Sequence, residues 1–183
     1  MVNGVVFAGS DKLYAFNATS GAQVWTASTG ANIPGSPAVA NGIVYVGSDK
    51  LYAFNAASGA QVWTASIGTN FGSVSSPTVV NGVVYVTTTF SGALYAFNAQ
   101  TAAQLWSASL GNNNMVSNPS VANSIVYVTS NDGHLYALNA QTGVQLLSTT
   151  SSVNATTSPT VTNGIVYFGS NDHNLYAYHL PGH

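Results

Sequence analysis

The sequence predicts an all-β protein, a β-propeller of four-stranded antiparallel blades, with about 4.5 repeats in a single domain over residues 1–183. Three observations predict it. The chain repeats itself at a fixed period near 40 residues, each full period holds four short β-type motifs, and no stretch carries the apolar spacing of a helix.

The first motif opens on Asn, usually followed by Gly, and runs into branched and aromatic residues. It recurs at Asn3-Gly4-Val5-Val6-Phe7, Asn41-Gly42-Ile43-Val44-Tyr45, Asn81-Gly82-Val83-Val84-Tyr85, Asn123-Ser124-Ile125-Val126-Tyr127 and Asn163-Gly164-Ile165-Val166-Tyr167. Successive Asn positions lie 38, 40, 42 and 40 residues apart. The repeats therefore run approximately 3–40, 41–80, 81–122, 123–162 and 163–180. The second motif is Leu13-Tyr14-Ala15-Phe16, echoed at Leu51, Leu94, Leu135 and Leu175. Turn residues such as Gly47-Ser48-Asp49-Lys50 separate it from the first, so the two pair as antiparallel neighbours. The third is Gln23-Val24-Trp25-Thr26, with counterparts beginning at Gln61, Gln104 and Gln145. The fourth follows a proline, at Ser36-Pro37-Ala38-Val39 and again at Pro77, Pro119 and Pro159; proline at the head of a strand costs no ladder hydrogen bond.

A sandwich has no cause to repeat every 40 residues or so, and a parallel β-helix uses shorter coils. The motif count leaves 18 strands, which is not a multiple of four. The chain begins on the second strand of one blade and stops after the third of another, so neither end completes the other's blade. The expectation is an incomplete ring, five short blades, or a ring completed by self-association, with open edges that invite pairing.

Composition excludes several classes. Hydrophobic residues make up 46% of the chain, too many for disorder, and no apolar run reaches the length of a membrane-spanning helix. Only 3% of residues are charged: Lys12 and Lys50 against Asp11, Asp49, Asp132 and Asp172, with no Glu or Arg. Two lysines at net charge -2 cannot neutralise a phosphate backbone, so no nucleic-acid partner is expected. There is no cysteine, hence no disulfide or thiolate chemistry. The Asn, Ser, Thr and Gln that carry solubility suggest an extracellular, periplasmic or cell-surface location, with no signal segment ahead of the first strand. His183 reads as the start of an affinity tag and is assigned no functional role.

The join of the second and third motifs resembles the tryptophan-docking motif of quinoprotein-type propellers, Ala-x-Asp-x-x-Thr-Gly-x-x-x-Trp. The matching segments are Ala15 to Trp25 with Asn17 and Gly21, Ala53 to Trp63 with Asn55 and Gly59, and Ala96 to Trp106 with Asn98 and Thr101; in Ala137 to Leu147 a Leu replaces the Trp. The resemblance covers essentially the whole chain. It implies that Trp25, Trp63 and Trp106 stack between neighbouring blades, with Ala15, Ala53, Ala96, Gly21 and Gly59 as parts of the docking sites. Truncating one such Trp to Ala should cost about 3–5 kcal/mol. Asn in place of the family's Asp removes a charge and keeps the means to close a turn. Members of this family commonly have seven or eight blades, more than this chain supplies.

Quinoprotein dehydrogenases hold a quinone over a cation with carboxylate and amide ligands, a base carboxylate and a vicinal cysteine pair. Here the four Asp all fall in the turn between first and second motifs, where turn capping accounts for them. His134 and His173 are expected in equivalent turns of adjacent units, exposed and too sparse for a metal site. No catalytic, cofactor-binding or metal-binding residue is assigned. Of the two Asn-Ala-Thr sequons, Asn17 belongs to the docking motif and Asn154 lies in a Ser/Thr-rich connector. Residues 9–28 and 47–66 differ only at Thr19 against Ala57, a sameness that leans against an asymmetric active site. The expected function is a non-catalytic protein-interaction or self-assembly scaffold, partnered by another copy or another propeller segment. The alternatives are a carbohydrate-binding propeller using exposed Tyr and Asn, and a remnant of a quinone-dependent dehydrogenase.

Overall fold

The computed structural model describes residues 2–67, 74–88, 91–111, 116–150 and 157–179. Among them lie 18 strands in five antiparallel sheets. The first sheet holds β1 (Val5–Gly9), β2 (Leu13–Asn17) and β3 (Gln23–Ala27); the second β4 (Ala38–Ala40), β5 (Ile43–Gly47), β6 (Leu51–Asn55) and β7 (Gln61–Ala65). The third is β8 (Thr78–Val80), β9 (Val83–Thr87), β10 (Ala93–Asn98) and β11 (Gln104–Ser109), and the fourth β12 (Ser120–Ala122), β13 (Ile125–Thr129), β14 (His134–Asn139) and β15 (Gln145–Thr150). The fifth has β16 (Thr160–Thr162), β17 (Ile165–Gly169) and β18 (Leu175–His179).

Each sheet is a meander of consecutive strands, as expected of blades. The short proline-led strand pairs with the strand after it, so the second sheet starts at Ala38, ahead of the sequence repeat that starts at Asn41. The hairpin between them is set by Asn41 and Gly42, at φ 50° and 75°, the left-handed pair that a type I′ turn requires. Asn81-Gly82, Asn123-Ser124 and Asn163-Gly164 repeat that geometry.

Stacking is face to face, and the short strands come together along one side: β4 lies beside β8, β8 beside β12, and β12 beside β16. Thr78 Oγ1 donates to Pro119 O at 2.6 Å, Ser120 Oγ donates to Pro159 O, and Ser76 N donates to Asn118 Oδ1 at 3.0 Å. Hydroxyls and amides thus tie the inner strands of successive blades. The apolar clusters lie between blades: Leu13 of β2 packs with Val44, Val46, Tyr52 and Phe54 of the next sheet, and the same partnership recurs at each later junction.

The ring is not closed. Among the described residues the first sheet has no inner strand and the fifth no outer one, so the described blades do not close a five-bladed ring. Its end faces stay open to solvent: Val6 is 41% exposed although its counterparts Val44, Val84, Val126 and Val166 are fully buried. No helix among the described residues is long and apolar enough to cross a membrane.

Candidate functional site

Pairing register explains how the indoles reach the blade junctions. Across the second sheet Tyr45 lies opposite Ala53, and Ala53 opposite Trp63. The small Ala between two large rings lets them approach, with Tyr45 and Trp63 centroids 5.7 Å apart and tilted by 49°. The rows Phe7–Ala15–Trp25 and Tyr85–Ala96–Trp106 repeat this, at 5.7 and 5.9 Å. A bulge follows, since Phe54 pairs with Gln61, leaving Val62 as the extra residue. It turns Val62 out to solvent and Trp63 toward the following blade, and Val24, Leu105 and Leu146 are likewise turned out.

Each indole then meets the turn of the next blade. Trp25 Nε1 donates to Ala56 O, Trp63 Nε1 to Ala99 O and Trp106 Nε1 to Ala140 O, each at 3.0 Å. Those turns are folded by their Asn: Asn55 Oδ1 accepts from the N–H groups of Ala57 and Ser58, both at 3.0 Å, and Asn17, Asn98 and Asn139 do the same in their own turns. A Cβ on Gly59 would lie 2.8 Å from the Trp25 ring, and one on Gly143 2.6 Å from Trp106. Both glycines have φ above 70°, and the third seat carries Ala102 at φ 62°. Gly21, in the same conformation on the first blade, has nothing within 4 Å of that position. Leu147, which stands where a Trp would, is 39% exposed.

Sequence reading missed the tyrosines of the second strand and the carbonyls they serve. Tyr45 Oη donates to Ala99 O at 3.2 Å and Tyr85 Oη to Ala140 O at 3.0 Å, so each of these carbonyls takes a phenol and an indole together. The signal was present in the recurrence of Tyr at the fifth position of the Asn-led motif. Burial pushes the Tyr45, Tyr85 and Tyr127 phenols up from their ordinary value. The glycan alternative had counted on exposed Tyr, yet these three are buried. Their β register points them into the blade junctions.

Each Asp is engaged by a nearby tyrosine hydroxyl. Tyr14 donates to Asp11 and Tyr52 to Asp49, each at 2.9 Å; Tyr136 donates to Asp132 at 2.8 Å and Tyr176 to Asp172 at 2.5 Å. Asp132 and Asp172 also accept the backbone N–H two residues on, from His134 and Asn174, at 3.1 Å. The Tyr176 hydroxyl is the main cause holding Asp172 down at about 2. For Asp132, burial works upward, but the Tyr136 and Ser130 hydroxyls and His134 outweigh it and the carboxyl is lowered. Among the described residues no three His or Asp side chains gather. The carboxylates are tied to tyrosines in separate turns, so these residues do not fit a quinone held over a cation. The two histidines lie in equivalent turns of adjacent blades but at different positions within them. His134 begins β14 with its Nδ1 3.2 Å from Asp132 Oδ1, partly buried, whereas His173 occupies the left-handed turn position that Gly133 holds one repeat earlier. The two hairpins have the same length and the same backbone hydrogen bonds, so His173 aligns with Gly133 and Asn174 with His134. Asn154 and His183 fall outside the described residues.

Among the described residues two similar clefts lie where neighbouring blades meet. One, of about 610 Å³, is lined by Asn81, Leu105, Asn123, Asn139 and Gln141 around Tyr85; the other, of about 500 Å³, by Asn41, Val62, Asn81, Asn98 and Gln100 around Tyr45. The same amide-and-aliphatic lining recurs one repeat apart. It bears no charge, and suits a neutral hydrogen-bonding ligand such as a peptide backbone.

A family model described as outer membrane protein assembly factor BamB matches residues 9–119 and 91–180. Among solved structures the chain is similar to BamB from Moraxella catarrhalis, with a TM-score of 0.81 at 23% identity over 96% of this chain and 56% of that one. It is also similar to the computationally designed Ika8 protein, with a TM-score of 0.86 at 15% identity over 98% and 57%. A third is the quinohemoprotein alcohol dehydrogenase ADHIIG from Pseudomonas putida HK5, with a TM-score of 0.82 at 15% identity over 98% and 39%. At these identities the likeness is one of fold. The chain spans about half the length of the first two and less of the third. No curated protein matches the sequence.

Proposed function

Because this chain belongs to the family of the outer membrane protein assembly factor BamB, a family of quinoprotein-like repeat propellers, we propose that it is a non-catalytic scaffold that binds protein through the repeated clefts between its blades. The observation that carries this reading is the recurrence of one uncharged lining, Asn, Gln and an aliphatic residue, at successive junctions. Such amides can pair with the backbone of an extended segment, and the half-exposed Val62 and Leu105 offer apolar contact beside them. The family's name speaks of outer-membrane protein assembly, which makes an unfolded β-barrel segment the partner class to try first, in a periplasmic or cell-surface setting. Support for the absence of catalysis comes from the side chains themselves, the indoles being spent on blade junctions and the carboxylates on tyrosines.

The test is fluorescence anisotropy with labelled segments of an outer-membrane β-barrel protein, repeated on Leu105→Asp and Asn123→Ala. Saturable binding weakened by both substitutions is expected; absence of binding, or indifference to both, would refute the cleft. Titration with pyrroloquinoline quinone and calcium should leave the absorption spectrum of the cofactor unchanged, and a saturable change would return the chain to the dehydrogenases.

A further inference from the structure

Four times within the chain one blade lays the same face on the next. The leading half of that contact is Leu13, Leu51, Leu94 or Leu135 with its following Ala, all buried to 4% exposure or less. The trailing half is Val44, Val84, Val126 or Val166 with a Tyr and a second large side chain of the adjoining strand, Tyr52 with Phe54 on the second blade and Tyr136 with Leu138 on the fourth. At the two ends of the described stack each half appears without its complement. On the fifth blade Leu175, the counterpart of those leucines, is 73% exposed and Ala177 is exposed with it. On the first blade Val6 is 41% exposed, Ala8 is exposed, and Tyr14 and Phe16 are only half-buried. The empty space over Gly21, where Trp25 and Trp106 fill the same place over Gly59 and Gly143, belongs to that open face.

We propose that the occupant of each open face is the other one on a second copy of this chain, the leading face of blade five docking on the trailing face of blade one. The inference deepens the scaffold reading by naming a partner, and it rests on that reading only for the claim that the chain works by association. Its warrant is continuity with an interface the chain already makes four times with the same residue types at the same repeat positions. Tyr167 would donate to Ala18 O of the second copy, as Tyr45 donates to Ala99 and Tyr85 to Ala140. Near-neutral surfaces raise no charge barrier to the contact, since the chain carries six charged side chains in all. The interface is heterologous, so two faces per copy are used, and closure between two copies leaves none open.

Sedimentation equilibrium on the 183-residue chain should give twice the chain mass. Val6→Asp and Leu175→Asp each place a charge in both interfaces of a pair of identical copies and should weaken association at least about tenfold. Mixing the two variants should restore it, because one of the two interfaces then joins an unaltered Leu175 to an unaltered Val6. Circular dichroism reports whether either variant has lost its fold. If one has, Val6→Cys and Leu175→Cys replace them: the chain has no cysteine of its own, and a short thiol cross-linker should join the mixture but neither variant alone. A monomer at every concentration overturns the proposal and leaves peptide binding by the clefts standing. A dimer sensitive to one variant only, or unrescued by mixing and not cross-linked in the mixture, overturns it in favour of a symmetric contact. Loss of cleft binding with the dimer intact would instead sink the cleft reading alone.

Discussion

Ala99 O is the acceptor at the junction of the second and third blades, and it takes two hydrogen bonds, from Trp63 Nε1 at 3.0 Å and from Tyr45 Oη at 3.2 Å. A carbonyl with two partners loses little when one is removed and much when both are. Tyr45→Phe deletes a hydroxyl and should cost about 0.5–1.5 kcal/mol, the net value of one hydrogen bond. Trp63→Phe deletes the other donor and part of the ring, and should cost more than Tyr45→Phe but less than the 3–5 kcal/mol or so of truncation to Ala. The double variant leaves a carbonyl on a residue 7% exposed with neither donor, which adds about 1–3 kcal/mol beyond the sum of the singles. Urea unfolding followed by far-ultraviolet circular dichroism measures all three. Additivity within about 0.5 kcal/mol would refute the shared-acceptor account. The protein supplies its own control at the first junction, where Phe7 stands in the Tyr45 position and offers no hydroxyl to Ala56 O. Trp25→Phe should therefore already show the penalty that Trp63→Phe shows only in the Tyr45→Phe background.

Gly59→Ala and Gly21→Ala impose the same left-handed backbone strain, about 1–2 kcal/mol, but only the first drives a methyl group into an indole, 2.8 Å away. Gly59→Ala should be the more destabilising by a further 1–3 kcal/mol or so, and equal losses in urea unfolding would show that the ring is not held on that glycine. Stability should also fall at alkaline pH. Burial raises Tyr45, Tyr85 and Tyr127 above their ordinary 10.0, and burial with the Asp132 hydrogen bond raises Tyr136 to about 12. Because the folded chain holds these protons more tightly than the unfolded one, their contribution is complete below pH 10.0 and is lost as pH rises toward about 12. The urea midpoint should be flat from neutrality up to pH 10.0 and drop above it, less steeply in Tyr136→Phe; an unchanged slope in that variant would refute the assignment.

Much of the blade was legible in local residue chemistry. Asn41-Gly42 specifies a type I′ hairpin wherever it occurs, the alternation in Val44-Tyr45-Val46 specifies a strand, and Asn55 closes its own turn with its side chain; each acts over a few residues, so period and strand number could be read directly. The role of Tyr45 could not, because it depends on a carbonyl 54 residues away. His134 and His173 fall in equivalent turns, and the sequence already sets them one position apart, Asp132-Gly133-His134 against Asp172-His173-Asn174; the backbone adds that the first begins a strand and the second takes the left-handed turn position. The openness of the ring had the same origin. Strand count exposed the missing strands at either end, but whether Val6 and Leu175 are covered is decided by the angle at which blades stack, a property of packed faces rather than of any one segment. The sequence determined the blade, since turn and strand preferences are local free energies. Tertiary structure alone decided which faces meet, because burial between blades is a contact between residues tens of positions apart.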